Sequence, residues 1–175
     1  MNIREVIAAI NQMEADVVID HYAIGGAVGA TFYLEPVATL DVDVFVVFRP
    51  VPGSRLVNTQ PVFEYLKQRG GTMEGEYVFL GGWPVQFLAS TGALVDEALA
   101  EAVLHDVEGI PTRVFTAEHL AAIALETGRA KDKARLLQFI ESEAFNLGSF
   151  QEIVHRHGMT AAWVRFQRQF LSDAE

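Results

Sequence analysis

The stretch AIGGAVGATFYLEPVATLDVDVFVVF, residues 23–48, decides the fold. Its second half, Val42 to Phe48, is a run of β-branched and aromatic residues and reads as a strand. Beyond Asp43 the run is apolar on both faces, which suits a central strand covered on both sides. Asp41 and Asp43 stand at its head. Side chains alternate along a strand, so the two carboxylates share a face, with Cα atoms roughly 7 Å apart. In front of this strand, Asp20 to Ile24 reads as a short strand stopped by Gly25-Gly26. Residues 27–34 then read as a short helix of small and apolar residues. Glu35-Pro36 ends it, because the residue before a proline is pushed out of the helical region.

Two carboxylates aimed at one spot repel each other unless a cation sits between them. Mg²⁺ suits them, since it takes hard oxygen ligands and keeps coordination positions for phosphate oxygens. A helix N-terminus offers unpaired N–H groups and the positive end of a dipole, and glycines there let a phosphate approach the backbone. Each feature also has an ordinary reading. Acidic residues occur at the wet ends of strands, and Gly-Gly makes a tight turn. Together they build a phosphate cradle opposite a metal site, the outline of a nucleoside triphosphate site. It is not a Walker loop, for no GxxxxGK[ST] occurs, and GGAVGA lacks the Rossmann glycine spacing.

Outward from this stretch, residues 2–14 carry a helical stripe of Ile3, Val6, Ile7 and Ile10. Arg49-Pro-Val-Pro-Gly53 is a loop, and residues 58–69 a helix closed by Gly70-Gly71. EYVFLGGWPVQFL reads as a hairpin about Gly81-Gly82. Residues 92–102 are helical, and AVLHDVEGIPTRVF gives a short strand or hairpin ending in Thr112 to Phe115. From Thr116 the pattern is helical throughout. The first of these helices runs from an N-cap threonine to Gly128, the second follows in AKDKARLLQFIESEAF, and two more are broken at Gly158. The expected organisation is α+β, with an α/β core over 1–115 and a helical segment over 116–175 packed on it.

Composition narrows the class. The 175 residues are 50% hydrophobic and 21% charged, a globular composition. A chain of this size buries roughly 70% of its unfolded surface. There is no cysteine, which removes disulfides, thiolate nucleophiles and cysteine-ligated zinc, and fits a reducing, cytoplasmic setting. The N-terminus has charges at Arg4, Glu5, Glu14 and Asp16 and no uninterrupted apolar core, so it is not read as a signal peptide. No apolar run reaches membrane-spanning length, and no membrane partner is expected. A net charge of −10 disfavours a broad nucleic-acid footprint. Arg156, Arg165 and Arg168 give the C-terminal segment local positive character, read as a solvated helix face.

Five histidines are present without HExxH or similar ligand spacing, so no zinc site is expected. No GxSxG marks a serine nucleophile. Trp83 and Trp163 read as core or groove residues. Phe139, Phe145, Phe150, Phe166 and Phe170 read as the apolar contacts between the C-terminal helices.

The pattern Gly25, Gly26, a short helix, then Thr39, Asp41 and Asp43 on a strand resembles the DNA polymerase β-like nucleotidyltransferase superfamily. GIPTRVFTAEHLAAIALETGRAKDKARLLQFI resembles a segment of the AbiEii/AbiGii toxin-type nucleotidyltransferases and their uncharacterised relatives. In them a glycine-led strand precedes a Glu-x-Leu helix and an Arg-x-Lys-Asp turn, here Arg129, Lys131 and Asp132. FQEIVHRHGMTAAWVRF is similar to that group's helical tail. The resemblance implies a nucleotidyltransferase-like mixed β-sheet flanked by helices, with a C-terminal helical segment. It implies that Gly25 and Gly26 hold a triphosphate, with Thr39, Arg129 and Lys131 also on the nucleotide. Asp41 and Asp43 are then the catalytic residues and the Mg²⁺ ligands. The implied reaction moves a nucleoside monophosphate from an NTP to a hydroxyl acceptor, with pyrophosphate leaving. The acceptor class is open: an RNA end, disfavoured by the charge, a protein side chain or a small molecule. A toxin role with an antitoxin or other protein partner follows from the resemblance alone.

Three charged positions of the resembled pattern are neutral here. Gln86 stands where a third carboxylate is usual, Ala124 where a lysine is, and Val37 where an arginine is. Glutamine ligates a metal weakly and cannot act as a general base. Glu74 and Glu76, across the hairpin, are the substitutes at hand. The alternative reading is therefore a catalytically impaired nucleotidyltransferase-fold protein that binds nucleotide or a protein partner.

Overall fold

The computed structural model describes residues 3–36, 39, 41–53 and 56–171. Val37 lies outside them. The centre is a mixed sheet of seven strands: β1 (Ile19–Ile24), β2 (Val42–Phe48), β3 (Thr72–Glu74), β4 (Tyr77–Leu80), β5 (Trp83–Ala89), β6 (Val103–Val107) and β7 (Ile110–Val114). Their spatial order is β3-β4-β5-β2-β1-β7-β6. The strand that carries the aspartates is thus central, as its two apolar faces require. It runs antiparallel to β1 and parallel to β5. β1 and β7 are parallel, and three hairpin-type pairs complete the sheet.

The turn between β4 and β5 has Gly81 and Gly82 at φ +57 and +81. Two consecutive positive φ values belong to a two-residue hairpin turn, which only glycine enters at no steric cost. The edge strand β3 was not legible as a strand in the sequence. It is three residues long and fully exposed, so no alternation of apolar residues marks it.

Helices cover both faces. On one face lie α1 (Ile3–Ala15) and α3 (Gln60–Gln68). Val6, Ile10 and Met13 of α1 and Val62 and Leu66 of α3 share a core with Val42, Val44 and Val46 of β2. On the other face lie α4 (Ala93–Ala100), α5 (Ala117–Thr127), α6 (Ala130–Glu141), α7 (Leu147–Arg156) and α8 (Thr160–Phe170). Their core takes in Ala23 and Phe115, with Phe45 and Val47 of β2 packed against it. The odd-numbered residues of β2 therefore look toward the helical segment and the even-numbered ones away from it.

The C-terminal helices are joined by a chain of aromatic contacts from Phe139 through Phe145, Phe150, Trp163 and Phe166 to Phe170. Ring pairs at such centroid separations, 4.9–6.1 Å, add to their area burial. No helix among the described residues is long and apolar enough to cross a membrane.

Arg156 does more than solvate a helix face. It forks onto Glu97 of α4, with Nη2 to Oε1 at 2.6 Å and Nε to Oε2 at 3.0 Å. His157 reaches the same carboxylate at 2.8 Å and the buried His119 of α5 reaches it at 3.2 Å. Arg156 and the two imidazoles hold Glu97 down to about 2, the arginine contributing most. Glu97, Glu101 and His119 hold ligand atoms within 4.8 Å of one another. Both Glu97 oxygens, however, are already engaged by Arg156 and the histidines, so the cluster works as a clamp between α4, α5 and the end of α7.

Candidate active site

The site grows from the break between β1 and β2. Gly25 closes β1, and its N–H donates to the Asp43 carbonyl at 3.0 Å. Its φ of −120 is ordinary, so the need for glycine is spatial. A Cβ at residue 25 would lie 2.5 Å from Phe45 Cε2 and 3.2 Å from Phe115 Cδ2. Gly26 has φ +58 and opens the five-residue helix α2 (Gly26–Ala30). The helix is shorter than the sequence pattern predicts, because the chain continues from Thr31 to Leu34 in turns. A Cβ at Gly26 would collide with the Asp43 carboxylate. The bare backbone and that carboxylate thus face each other across a gap that only glycine leaves open.

Asp41 and Asp43 both line an open cleft of about 1000 Å³. Burial pushes the Asp43 carboxyl above its usual range, and the charge of Asp41 pushes it further; Lys131, Arg135 and Arg129 pull it back. Thr39 donates its hydroxyl to the Asp41 carbonyl at 3.2 Å, with the Asp41 carboxylate at 3.5 Å. Tyr77 of β4 approaches Asp41 Oδ2 at 3.4 Å. All seven residues expected at the site, Gly25, Gly26, Thr39, Asp41, Asp43, Arg129 and Lys131, fall in one region. Six of them line the cleft, and Gly25 supports it from behind.

Gln86 of β5 is the register partner of Asp43 on the neighbouring parallel strand. The neutral amide therefore stands beside Asp43, at the position where the resembled pattern has a third carboxylate. Of the two proposed substitutes, Glu76 lines the cleft, whereas Glu74 is not part of its lining.

The positive side comes from α6. Arg129 is its N-cap residue, and Asp132 sits in its first turn rather than in a turn between helices. Asp132 is 2% exposed. It accepts from Arg129 Nε at 2.6 Å and Nη2 at 3.3 Å, and Arg135 Nη1 lies 3.9 Å away. One buried carboxylate thus orients the Arg129 guanidinium and lies within ion-pair reach of Arg135, a role that the Arg-x-Lys-Asp pattern alone did not reveal. Arg135 is the residue that sequence reasoning missed. Its signal was i, i+3 spacing from Asp132 on one helix face.

A second, smaller cavity of about 280 Å³ opens from the same point. It shares Gly26, Asp43, Gln86, Arg129 and Arg135 with the cleft and runs between β5, α4 and α5. Ala124, at the position where the resembled pattern has a lysine, is one of its walls.

The donor set at the junction suits a hard divalent cation. It holds two same-face carboxylates, one of them raised by burial and then by its neighbour's charge, and a side-chain amide in register with Asp43. Arg129, Lys131 and Arg135 line the same cleft and give it positive charge.

No family model matches the sequence, and no curated protein matches it significantly. Solved structures do match the fold. The chain is similar to the solution structure of the antibiotic-resistance factor ANT(2'')-Ia, with TM-score 0.54 and 14% identity over 97% of this chain and 99% of that one. It is similar to the crystal structure of an antigenic nucleotidyltransferase-like protein from Paracoccidioides brasiliensis, with TM-score 0.57 and 13% identity over 94% of this chain and 87% of that one. At these identities the likeness is one of fold, and the chain has an α+β, nucleotidyltransferase-like fold.

Proposed function

We propose that this protein transfers a nucleoside monophosphate from an NTP to a hydroxyl acceptor, with Mg²⁺ held by Asp41 and Asp43. One observation carries the reading: Gly26, Asp41, Asp43, Arg129 and Lys131 line one cleft, with carboxylates on the sheet side and cations on α6. The triphosphate then lies between the α2 backbone and the Arg129 and Lys131 side chains, which neutralise its charge. Gly25 and Gly26 leave room for its approach, and Thr39 fixes the Asp41 loop. Mg²⁺, when bound, neutralises phosphate charge and aligns the in-line displacement. The α/β part over 1–115 carries the metal and phosphate groups, and the helical part over 116–175 supplies the cationic wall.

Gln86 beside Asp43 favours a second reading, in which nucleotide binding persists while transfer is weak or absent. The AbiEii/AbiGii-type likeness, and an antitoxin partner with it, rests on motif resemblance. Toxicity on expression that Asp41→Ala relieves would support it.

The test is calorimetric titration of the four ribonucleoside triphosphates with and without Mg²⁺. Wild type is compared with the Asp41→Asn/Asp43→Asn double variant. Binding that needs both Mg²⁺ and the aspartates supports the site. Absence of binding by wild type overturns it.

A further inference from the structure

The smaller cavity shares Gly26, Asp43 and Arg129 with the larger cleft and extends beyond it toward α4 and α5. Its volume, about 280 Å³, equals roughly nine water molecules' share of the liquid. That is too small for a stretch of nucleic acid and large enough for a small metabolite. Phe45, Leu88, Val95, Leu120 and Ile123 give it an apolar wall. Its polar groups are Thr91, Thr127, Gln86, the guanidinium groups of Arg129 and Arg135, and three carboxylates: Asp43, Asp132 and Glu126.

Those carboxylates are not equivalent. Asp43 belongs to the proposed metal site. Asp132 is buried and held by Arg129 and Arg135. Glu126, exposed in the last turn of α5, has no ion pair or side-chain hydrogen bond among the described residues. Three carboxylates, Asp43, Asp132 and Glu126, against two guanidinium groups, Arg129 and Arg135, leave the lining net negative, which disfavours an anionic acceptor. Gln86, on the same wall, cannot take a proton.

We propose that the smaller cavity is the acceptor subsite, that it takes a small non-anionic alcohol, and that Glu126 accepts the proton the alcohol gives up. This rests on the nucleotidyl-transfer reading above. The acceptor oxygen enters the junction at Asp43 and forms a bond to the α-phosphorus. The bond from that phosphorus to the bridging oxygen breaks, and pyrophosphate leaves with the electron pair. The hydroxyl proton passes to the Glu126 carboxylate, so charge and atoms balance without a third carboxylate on β5.

The experiment incubates the full chain with Mg²⁺ and α-³²P-labelled NTPs against glycerol, myo-inositol, glucose and serine. An RNA oligonucleotide with a free 3′ hydroxyl and glycerol 3-phosphate serve as contrasts. Mg²⁺–NTP binding is followed by calorimetry on the same samples. The expected result is label on a non-anionic alcohol. In Glu126→Gln the turnover falls roughly 100-fold or more while the NTP KM stays within about twofold, and Glu126→Asp restores part of the rate. Label on the oligonucleotide or on glycerol 3-phosphate overturns the proposal. So does a Glu126→Gln rate equal to wild type, or no label on any alcohol while Mg²⁺–NTP binding is intact. Loss of Mg²⁺–NTP binding itself removes the reading beneath it, so the two failures are told apart.

Discussion

Asp43 on β2 and Gln86 on β5 lie side by side in the parallel register. They line both cavities, one charged and one neutral. Gln86→Asp places a third carboxylate against a pair that already repels. Without metal this variant unfolds at lower temperature than wild type, and with Mg²⁺ it gains affinity by roughly tenfold. Thermal melts with and without the ion, and a calorimetric titration, measure both. Transfer that appears only in this variant would favour the impaired-enzyme reading.

Asp43→Asn separates stability from function. The folded carboxyl of Asp43 titrates above its unfolded value, chiefly through burial and then through Asp41. An acid raised in this way weakens the folded state once pH exceeds its folded pKa, and the penalty disappears as pH falls below the unfolded value. The asparagine variant is therefore more stable than wild type at neutral pH without metal, and the difference vanishes in acid. Its transfer rate drops by roughly 100-fold or more. A melting series from pH 3 to 8 beside a turnover assay decides this; an unchanged rate would remove Asp43 from the chemistry.

Gly26→Ala tests the gap. The residue sits at φ +58, and the added Cβ meets the Asp43 carboxylate. Gly53, at φ +80 with open space around it, supplies the comparison. Gly53→Ala costs about 1 kcal/mol from backbone strain alone. Gly26→Ala costs more and also lowers Mg²⁺–NTP affinity, because it displaces a ligand. Equal effects of the two on nucleotide binding would show that the contact with Asp43 is irrelevant.

Asp132→Ala removes the buried acceptor that holds Arg129, whose own side chain is largely exposed. The loss of that charge-assisted hydrogen bond costs about 1 kcal/mol. It also frees Arg129 and Arg135 to swing away from the phosphate wall, so NTP affinity falls roughly tenfold in a titration with Mg²⁺ present. Asp132→Asn, which keeps one acceptor oxygen, falls between.

The Glu97 clamp sets the acid limit. Its carboxyl is held down to about 2 by Arg156 first, with His157 and His119 adding to it. A depressed carboxyl contributes stability that is complete above its unfolded value, near 4.5, and lost as pH falls toward 2. Glu97→Gln is expected to cost about 1–3 kcal/mol at neutral pH, and to flatten the stability profile between pH 5 and 2. Denaturant melts across that range would show it.

Much of this was legible along the chain. The strand, Gly-Gly break and Asp-x-Asp strand carried the central sheet, because a run apolar on both faces has few other places to go. The threonine N-cap and Gly128 marked α5, and the aromatic spacing marked the helical bundle. Three things were not legible. β3 lacks alternation. The joint role of Asp132 and Arg135 depends on burial, which the sequence does not print. The clamp on Glu97 joins residues up to 60 positions apart, and no local pattern announces such a partnership.

The alternation of β2 has a final consequence for how the chain reaches its native state. Val42, Val44 and Val46 fill one core while Asp41 and Asp43 face the other side. A slip of one residue in strand pairing would drive both carboxylates into an aliphatic layer and turn three valines toward the helical face. The price of that error is the desolvation of two charges. The aspartates therefore raise the free energy of a slipped sheet relative to the native register. A lineage that lost the chemistry would still have reason to keep them.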